Sequence, residues 1–191
     1  MKQNHPTSAP SITTPVMDSA AINRALRRIA HEIIERNADP SALILAGIPS
    51  RGVVIAERIA SFIESLGKGH VATGSIDVAM HRDDVGTRTE LPRVRASSLP
   101  LPLEEKTVII VDDVFFTGRT ARAAMDAITC YGRPARIQLA SLVDRGHREL
   151  PIRVDYVGKN IPTAPGERVR LRLQDVDGEP DAVWLIREEK E

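Results

Sequence analysis

The chain has 191 residues, a length that fits one α/β domain. Its 26 Lys and Arg balance 26 Asp and Glu, so no global field draws in nucleic acid and any RNA contact has to be a local patch. One cysteine excludes a disulfide framework, and no apolar run reaches membrane-spanning length or forms a secretory signal, which points to a soluble protein of a reducing cytoplasm.

Residues 1–17 carry Pro6, Pro10 and Pro15 among Ser and Thr without periodicity, and read as a disordered extension. Residues 18–191 then form a single domain. Asp18 or Ser19 caps a helix whose Ile22, Leu26, Ile29, Ile33 and Ile34 follow a 3.6-residue period. Residues 42–46 form a short buried strand, residues 53–66 a helix ended by Gly67, and residues 71–80 a strand with Ile76, Val78 and Met80 alternating inward. From His81 to Lys106 there is no apolar rhythm, and a segment of that length suggests a functional lid. Residues 107–111 are a strand buried on both faces, 119–131 a helix capped by Gly132, and 137–143 another buried strand. Finally Val169, Leu171 and Leu173 alternate with Arg168, Arg170 and Arg172, the chain turns at Asp177-Gly178, and residues 182–186 return. The order implies a mostly parallel sheet flanked by helices, with a small C-terminal antiparallel hairpin. Aromatics are few (one Trp, two Tyr, three Phe), so aliphatic side chains must fill the core.

Residues 108–120, Val-Ile-Ile-Val-Asp-Asp-Val-Phe-Phe-Thr-Gly-Arg-Thr, carry the most chemistry. Asp112 and Asp113 fall at the carboxyl end of a core strand, where open α/β sheets place their ligands. Thr117-Gly118-Arg119-Thr120 then starts a helix whose free N–H groups suit an anion. Two carboxylates repel a phosphate, so they serve another part of the same ligand, for which ribose hydroxyls and a bridging Mg²⁺ are natural partners. The combination spells a sugar phosphate. The plainer alternative, a buried strand with a polar loop and a helix cap, rarely needs two acids followed by Thr-Gly-x-Thr.

This stretch resembles the phosphoribosyl-pyrophosphate (PRPP) signature of type I phosphoribosyltransferases. The resemblance implies that Asp112 and Asp113 act catalytically on the ribose hydroxyls and meet Mg²⁺ indirectly, through substrate or water. It also implies that Val114, Phe115, Phe116, Thr117, Gly118, Arg119 and Thr120 line the PRPP and UMP site. Residues 25–37, 46–60, 76–84 and 142–163 extend the likeness to one branch, the pyrimidine-operon attenuator/uracil phosphoribosyltransferases (PyrR). A type I phosphoribosyltransferase fold, a flexible lid and a homodimer or higher oligomer are implied with it. The implied reaction is uracil plus PRPP giving UMP plus pyrophosphate, and the implied second role is UMP-dependent binding to leader RNA of pyrimidine genes.

Further motifs take their places around that signature. Gly47-Ile48-Pro49-Ser50-Arg51-Gly52 lies between strand and helix, and by resemblance Ser50, Arg51 and Gly52 form the pyrophosphate loop; alone it would equally be an ordinary turn with a surface arginine. Arg82 at the lid's start is a candidate to neutralise the departing pyrophosphate. Asp83 or Asp84 could order Mg²⁺ or pair with Arg82, or all three could be a solvated charge cluster. Arg88, Arg93 and Arg95 read as solvent-facing. Asp144 and Arg145 follow the last core strand and are candidates beside uracil, while His147 suits an ordinary hydrogen bond. Purine enzymes often carry a third acid where this chain has Phe116, which argues against a purine. No zinc set and no Walker A loop are present.

Arg27, Arg28 and His31 on the first helix, with Arg145 and Arg148 after the core strand, resemble the RNA-binding residues of the branch, although Arg27 and Arg28 could simply be the wet face of an amphipathic helix. Arg168, Arg170 and Arg172 could serve RNA or cover a dimer interface. Two other functions compete with an active enzyme: an RNA-binding attenuator whose nucleotide pocket serves as a sensor, and a receiver- or phosphatase-like domain using an acid pair. The anion-binding loop directly after the acids speaks against the last.

Overall fold

The computed structural model describes residues 11–83 and 96–188. Five parallel strands form the central sheet in the order β3-β2-β4-β5-β6, with β2 Leu43–Gly47, β3 Ala72–Ser75, β4 Thr107–Phe115, β5 Arg136–Asp144 and β6 Tyr156–Asn160. Helices α1 (Ser19–Arg36) and α2 (Arg51–Ser65) cover one face, and α3 (Arg119–Thr129) the other.

Strand pleating sorts the side chains between two cores. Leu43, Leu45, Ile109 and Val111 meet Ile22, Leu26, Ile29, Ile33, Ile55 and Ile59. Their neighbours Ile44, Ala46, Val108 and Ile110 meet Ala123, Ala124, Ala127 and Ile128. Each fully buried Ile or Leu contributes about 1.5–3 kcal/mol. Alanines on α3 let that helix lie close to the sheet. Asp18 caps α1 by accepting the Ala21 N–H at 2.7 Å. At the other end Asn37 donates to the Ile33 carbonyl (2.9 Å) and the Tyr156 hydroxyl (3.0 Å), so the last turn of α1 is fastened to β6.

A second sheet of three antiparallel strands, β1-β8-β7, stands beside the first as a hood. It comprises β1 Ser11–Asp18, β7 Glu167–Arg172 and β8 Ala182–Glu188, with one helical turn, α4 (Gln174–Asp177), and Gly178 at φ +71° between β7 and β8. The hairpin expected from the sequence is therefore present, widened by a third strand.

That third strand corrects the reading of residues 1–17 as a disordered extension. Ser11–Asp18 pairs with β8 from Ser11 opposite Glu188 to Asp18 opposite Ala182, with a register shift between Pro15 and Met17. Residues 1–10 lie outside the described residues. The strand expected over 71–80 is also shorter. β3 ends at Ser75, and although Ile76 and Val78 are buried as expected, a 3₁₀ turn at Ala79–His81 turns Met80 outward. Of the lid, Asp84, Arg88, Arg93 and Arg95 lie outside the described residues. Its returning end is fixed to the sheet by Ser75 and Ser98, which exchange N–H···O bonds of 2.8 and 2.9 Å.

Candidate active site

The carboxyl edge of the sheet gathers the predicted residues. Two glycines allow α2 to start against it. A Cβ on Gly47 would stand 2.4 Å from the Val53 Cα, and one on Gly52 2.4 Å from the Val111 carbonyl oxygen. Ile48 donates its N–H to that same carbonyl at 2.9 Å. The loop at Ser50, Arg51 and Gly52 is thereby pressed against the end of β4, beside the acid pair; its Pro49–Ser50 peptide bond is cis.

Asp112 is buried and Asp113 half-buried. Asp112 Oδ1 accepts the Asp113 N–H at 2.9 Å, and Asp113 Oδ1 accepts the Val114 N–H at 2.8 Å. Burial pushes the Asp112 carboxyl well above the usual carboxylate range, and the charge of Asp113 raises it further. The Arg82 guanidinium offsets a part of this. A buried acid held in this way favours a ligand that brings hydroxyl donors or positive charge. Arg51 Nη1 stands 3.9 Å from Asp113 Oδ2.

Downstream, Gly118 at φ +92° turns the chain into α3, so the first amides of that helix open at the sheet edge without intrahelical partners. Arg82, Asp112 and residues 114–121 line a cavity of about 160 Å³ at this point. Arg119, which also lines this cavity, clasps two neighbours with its guanidinium, Asp83 and Glu149, the latter at 2.7 Å. Asp83 therefore pairs with Arg119.

A larger cavity of about 430 Å³ adjoins it, walled by Phe116, Arg145, His147, Arg148 and the 164–166 turn. The Arg145 guanidinium stacks 3.9 Å above the Phe116 ring while donating to Thr163 Oγ1 and the Glu167 carbonyl. His147 meets Phe116 edge-on at 5.4 Å and holds the Thr163 carbonyl through Nε2. Phe116 and Arg145 thus wall this cavity together. Asp144 behaves otherwise. Its carboxylate is buried and already accepts the Gly146 N–H (2.8 Å) and Arg148 Nη2 (2.6 Å), so it shapes the loop from beneath.

The residues expected to meet RNA are partly engaged. Arg27 lies over the Phe62 ring at 5.3 Å. Arg28 donates to the Val157 and Gly158 carbonyls at 2.9 and 2.7 Å, covering the open edge of β6. Arg148 hangs from Asp144, whose register partner on β6 is Asn160, two residues beyond Gly158. Arg148 also lies over the Phe115 ring at 5.6 Å, on the α3 side of the sheet, whereas Arg28 comes to β6 from α1 and Lys159 reaches the Val16 carbonyl. His31 is exposed one turn along α1.

Three contributors were missed from sequence. Glu149 and Thr163 act through partners on other loops, and Asp177 was read only as a turn residue. Asp177 accepts Arg51 Nε at 3.1 Å and Nη2 at 2.8 Å, and Arg172 Nη1 at 3.2 Å.

A parallel sheet with an acid pair and an anion loop at one carboxyl edge defines the phosphoribosyltransferase class. Residues 14–175 match the phosphoribosyl transferase domain family. Hypoxanthine phosphoribosyltransferase of Trypanosoma cruzi shares the fold at a TM-score of 0.70 and 20% identity, over 92% of this chain and 97% of that one. A hypoxanthine-guanine phosphoribosyltransferase of Bacillus anthracis does so at 0.69 and 15%, over 90% and 96%. Sequence relatives are closer. The Bifunctional protein PyrR of Chloroflexus aurantiacus is 54% identical over 170 residues, covering 89% of this chain and 93% of its own. That of Listeria monocytogenes serotype 4b is 52% identical over 177 residues, covering 91% and 97%. The chain belongs to the PyrR family of phosphoribosyltransferases.

Proposed function

We propose that this chain transfers the phosphoribosyl group of PRPP to uracil, forming UMP and pyrophosphate, and that UMP in the same site governs binding to leader RNA of pyrimidine genes. The observation that carries the first half is the juxtaposition of Asp112–Asp113 with the residue 117–120 loop at the carboxyl end of β4. The amides opening α3 hold the 5′-phosphate, while the acid pair accepts hydrogen bonds from the ribose hydroxyls and fixes the ring. The transition state separates an oxocarbenium-like ribose from pyrophosphate. Arg51 and Arg82 offer positive charge on the pyrophosphate side, and the carboxylates face the ribose. Uracil takes the place beside Phe116 and Arg145, where an aromatic wall replaces the third acid of purine enzymes.

Among the described residues no three His, Cys, Asp or Glu side chains converge as a metal cage. The acid pair instead suits a cation carried largely by substrate oxygens and water, as Mg²⁺ prefers. Mg²⁺ held there through Asp112 and Asp113 would supply positive charge to the leaving pyrophosphate. The regulatory half is read onto Arg27, Arg28 and His31 of α1 and onto Arg148 after β5, whose partners are Gly158 on β6 for Arg28 and Asp144 at the end of β5 for Arg148. We assign the protein to the cytoplasm and to a homodimer or larger assembly, in which the patches of two copies join into one RNA surface. No described helix is long and apolar enough to cross a membrane.

Labelled uracil with PRPP and Mg²⁺ tests the activity: wild type forms UMP, and the Asp112→Asn/Asp113→Asn variant loses it. No UMP from wild type would leave the sensor reading in its place. A gel shift with the organism's own leader RNA, with and without UMP, tests the regulation, and Arg27→Ala/Arg148→Ala binding as tightly as wild type would move the RNA surface elsewhere.

A further inference from the structure

We infer that Asp177, on the hood, is the positioning residue of the pyrophosphate subsite: it sets the Arg51 guanidinium beside the acid pair, so that PRPP is held by the core and the hood together. The inference rests on the reading of residues 50–52 as the pyrophosphate loop.

Arg51 is the first residue of α2, and Asp177 is the last of α4, 126 positions away. The carboxylate takes the Nε and Nη2 edge of the guanidinium in a forked pair, a geometry that fixes the plane as well as the position of the group. A guanidinium has five N–H donors, so two are used and three remain. The remaining edge includes Nη1, which stands 3.9 Å from Asp113 Oδ2. That edge opens into a cavity of about 400 Å³ whose wall includes Arg51, Asp113, Arg168, Arg170 and Arg172. Arg51 and Arg172 share the Asp177 carboxylate, and Arg168 and Arg170 stand on the same wall, so the cavity is richer in arginine than in carboxylate and suits a polyanion beside the acid pair.

Asp177 is itself held rigidly. Its side chain is 7% exposed, and it also accepts the Leu173 N–H at 2.9 Å and Arg172 Nη1. These donors orient the carboxylate before Arg51 arrives. A long flexible arginine at a loop would otherwise lose rotamer freedom when it met the ligand, and Asp177 removes much of that cost in advance. A neighbouring trio, Arg58 with Asp175 and Asp181, also fastens the hood to α2, with no contact to the acid pair among its ion pairs. It is the natural control.

The test is binding of PRPP with Mg²⁺ by calorimetry, alongside KM and kcat for UMP formation. Asp177→Asn weakens PRPP binding about tenfold and raises its KM by a similar factor, kcat falls as Arg51 loses its hold on the departing pyrophosphate, and the KM for uracil is little changed. Asp177→Glu recovers part of the loss. Asp175→Asn leaves PRPP binding unaltered. Because Asp177 acts through Arg51, the double variant Arg51→Gln/Asp177→Asn binds PRPP no more weakly than Arg51→Gln alone. Additive losses in the double variant would overturn the inference, as would an Asp177→Asn protein that melts earlier but binds PRPP normally. Should wild type bind PRPP yet form no UMP, the proposed activity fails while the binding comparison still decides the role of Asp177.

Discussion

At the scale of single residues, Asp112 carries a conflict between folding and function. Its ionised form is disfavoured by burial and by Asp113, so charging it destabilises the folded chain. The folded-state pKa lies above the unfolded value of about 3.9, and the cost therefore appears as pH rises from about 4 toward neutrality. Asp112→Asn keeps the oxygen that accepts the Asp113 N–H and adds a donor toward the neighbouring carboxylate. Its melting temperature should exceed that of wild type by a few degrees at pH 7, and the gap should close near pH 4 while UMP formation falls at least about a hundredfold. A variant melting lower than wild type at pH 7 would contradict this. The acid pair and its loop were legible in sequence because every atom they need lies within thirteen consecutive residues. Arg145 on Phe116, Glu149 on Arg119 and Asp177 on Arg51 were not, since each partner arrives from another loop.

At the scale of elements, β1 shows what local pattern misses. Pro15 and the shift between Pro15 and Met17 break the alternation that marks a strand, and both are tolerated because β1 is the outer strand of its sheet. Partnership with β8, not local propensity, makes it a strand. Met17 is 6% exposed and belongs to the main core, and Lys159 reaches the Val16 carbonyl. Removing residues 1–17 while keeping the Asp18 cap should cost about 1.5–3 kcal/mol from Met17 alone. For a chain of this size that lowers the melting temperature by about 5–10 °C, measurable by calorimetry. An unchanged melting point would mean that β1 adds nothing. Helices α1, α2 and α3 and the buried strands β2, β4 and β5 were readable from periodicity, since they follow simple rules, but the 3₁₀ turn after β3 bent the chain where alternation ran on, and the short edge strand β6 was not read at all.

At the scale of the whole molecule, zero net charge confines RNA binding to patches. Arg28 lies over the carbonyls of β6, and Arg148 is held by Asp144 at the end of β5. If each meets one phosphate, replacing either by Ala should flatten the slope of log affinity against log salt by about 0.7 for single-stranded leader RNA. A slope that does not move would place the phosphates elsewhere. The architecture of core sheet and helices was foreseeable from element order, whereas the union of first and last strands in one hood was not.

That union has a consequence for chain order. Ser11 stands opposite Glu188 across β1 and β8. A short linker there would close the backbone into a ring, and the ring could be reopened at the exposed turn around Arg133. In the permuted chain the hood would sit mid-sequence, with β1 and β8 joined as a hairpin. Retained PRPP binding by that protein would show that the site depends on which strands are neighbours and not on which is synthesised first.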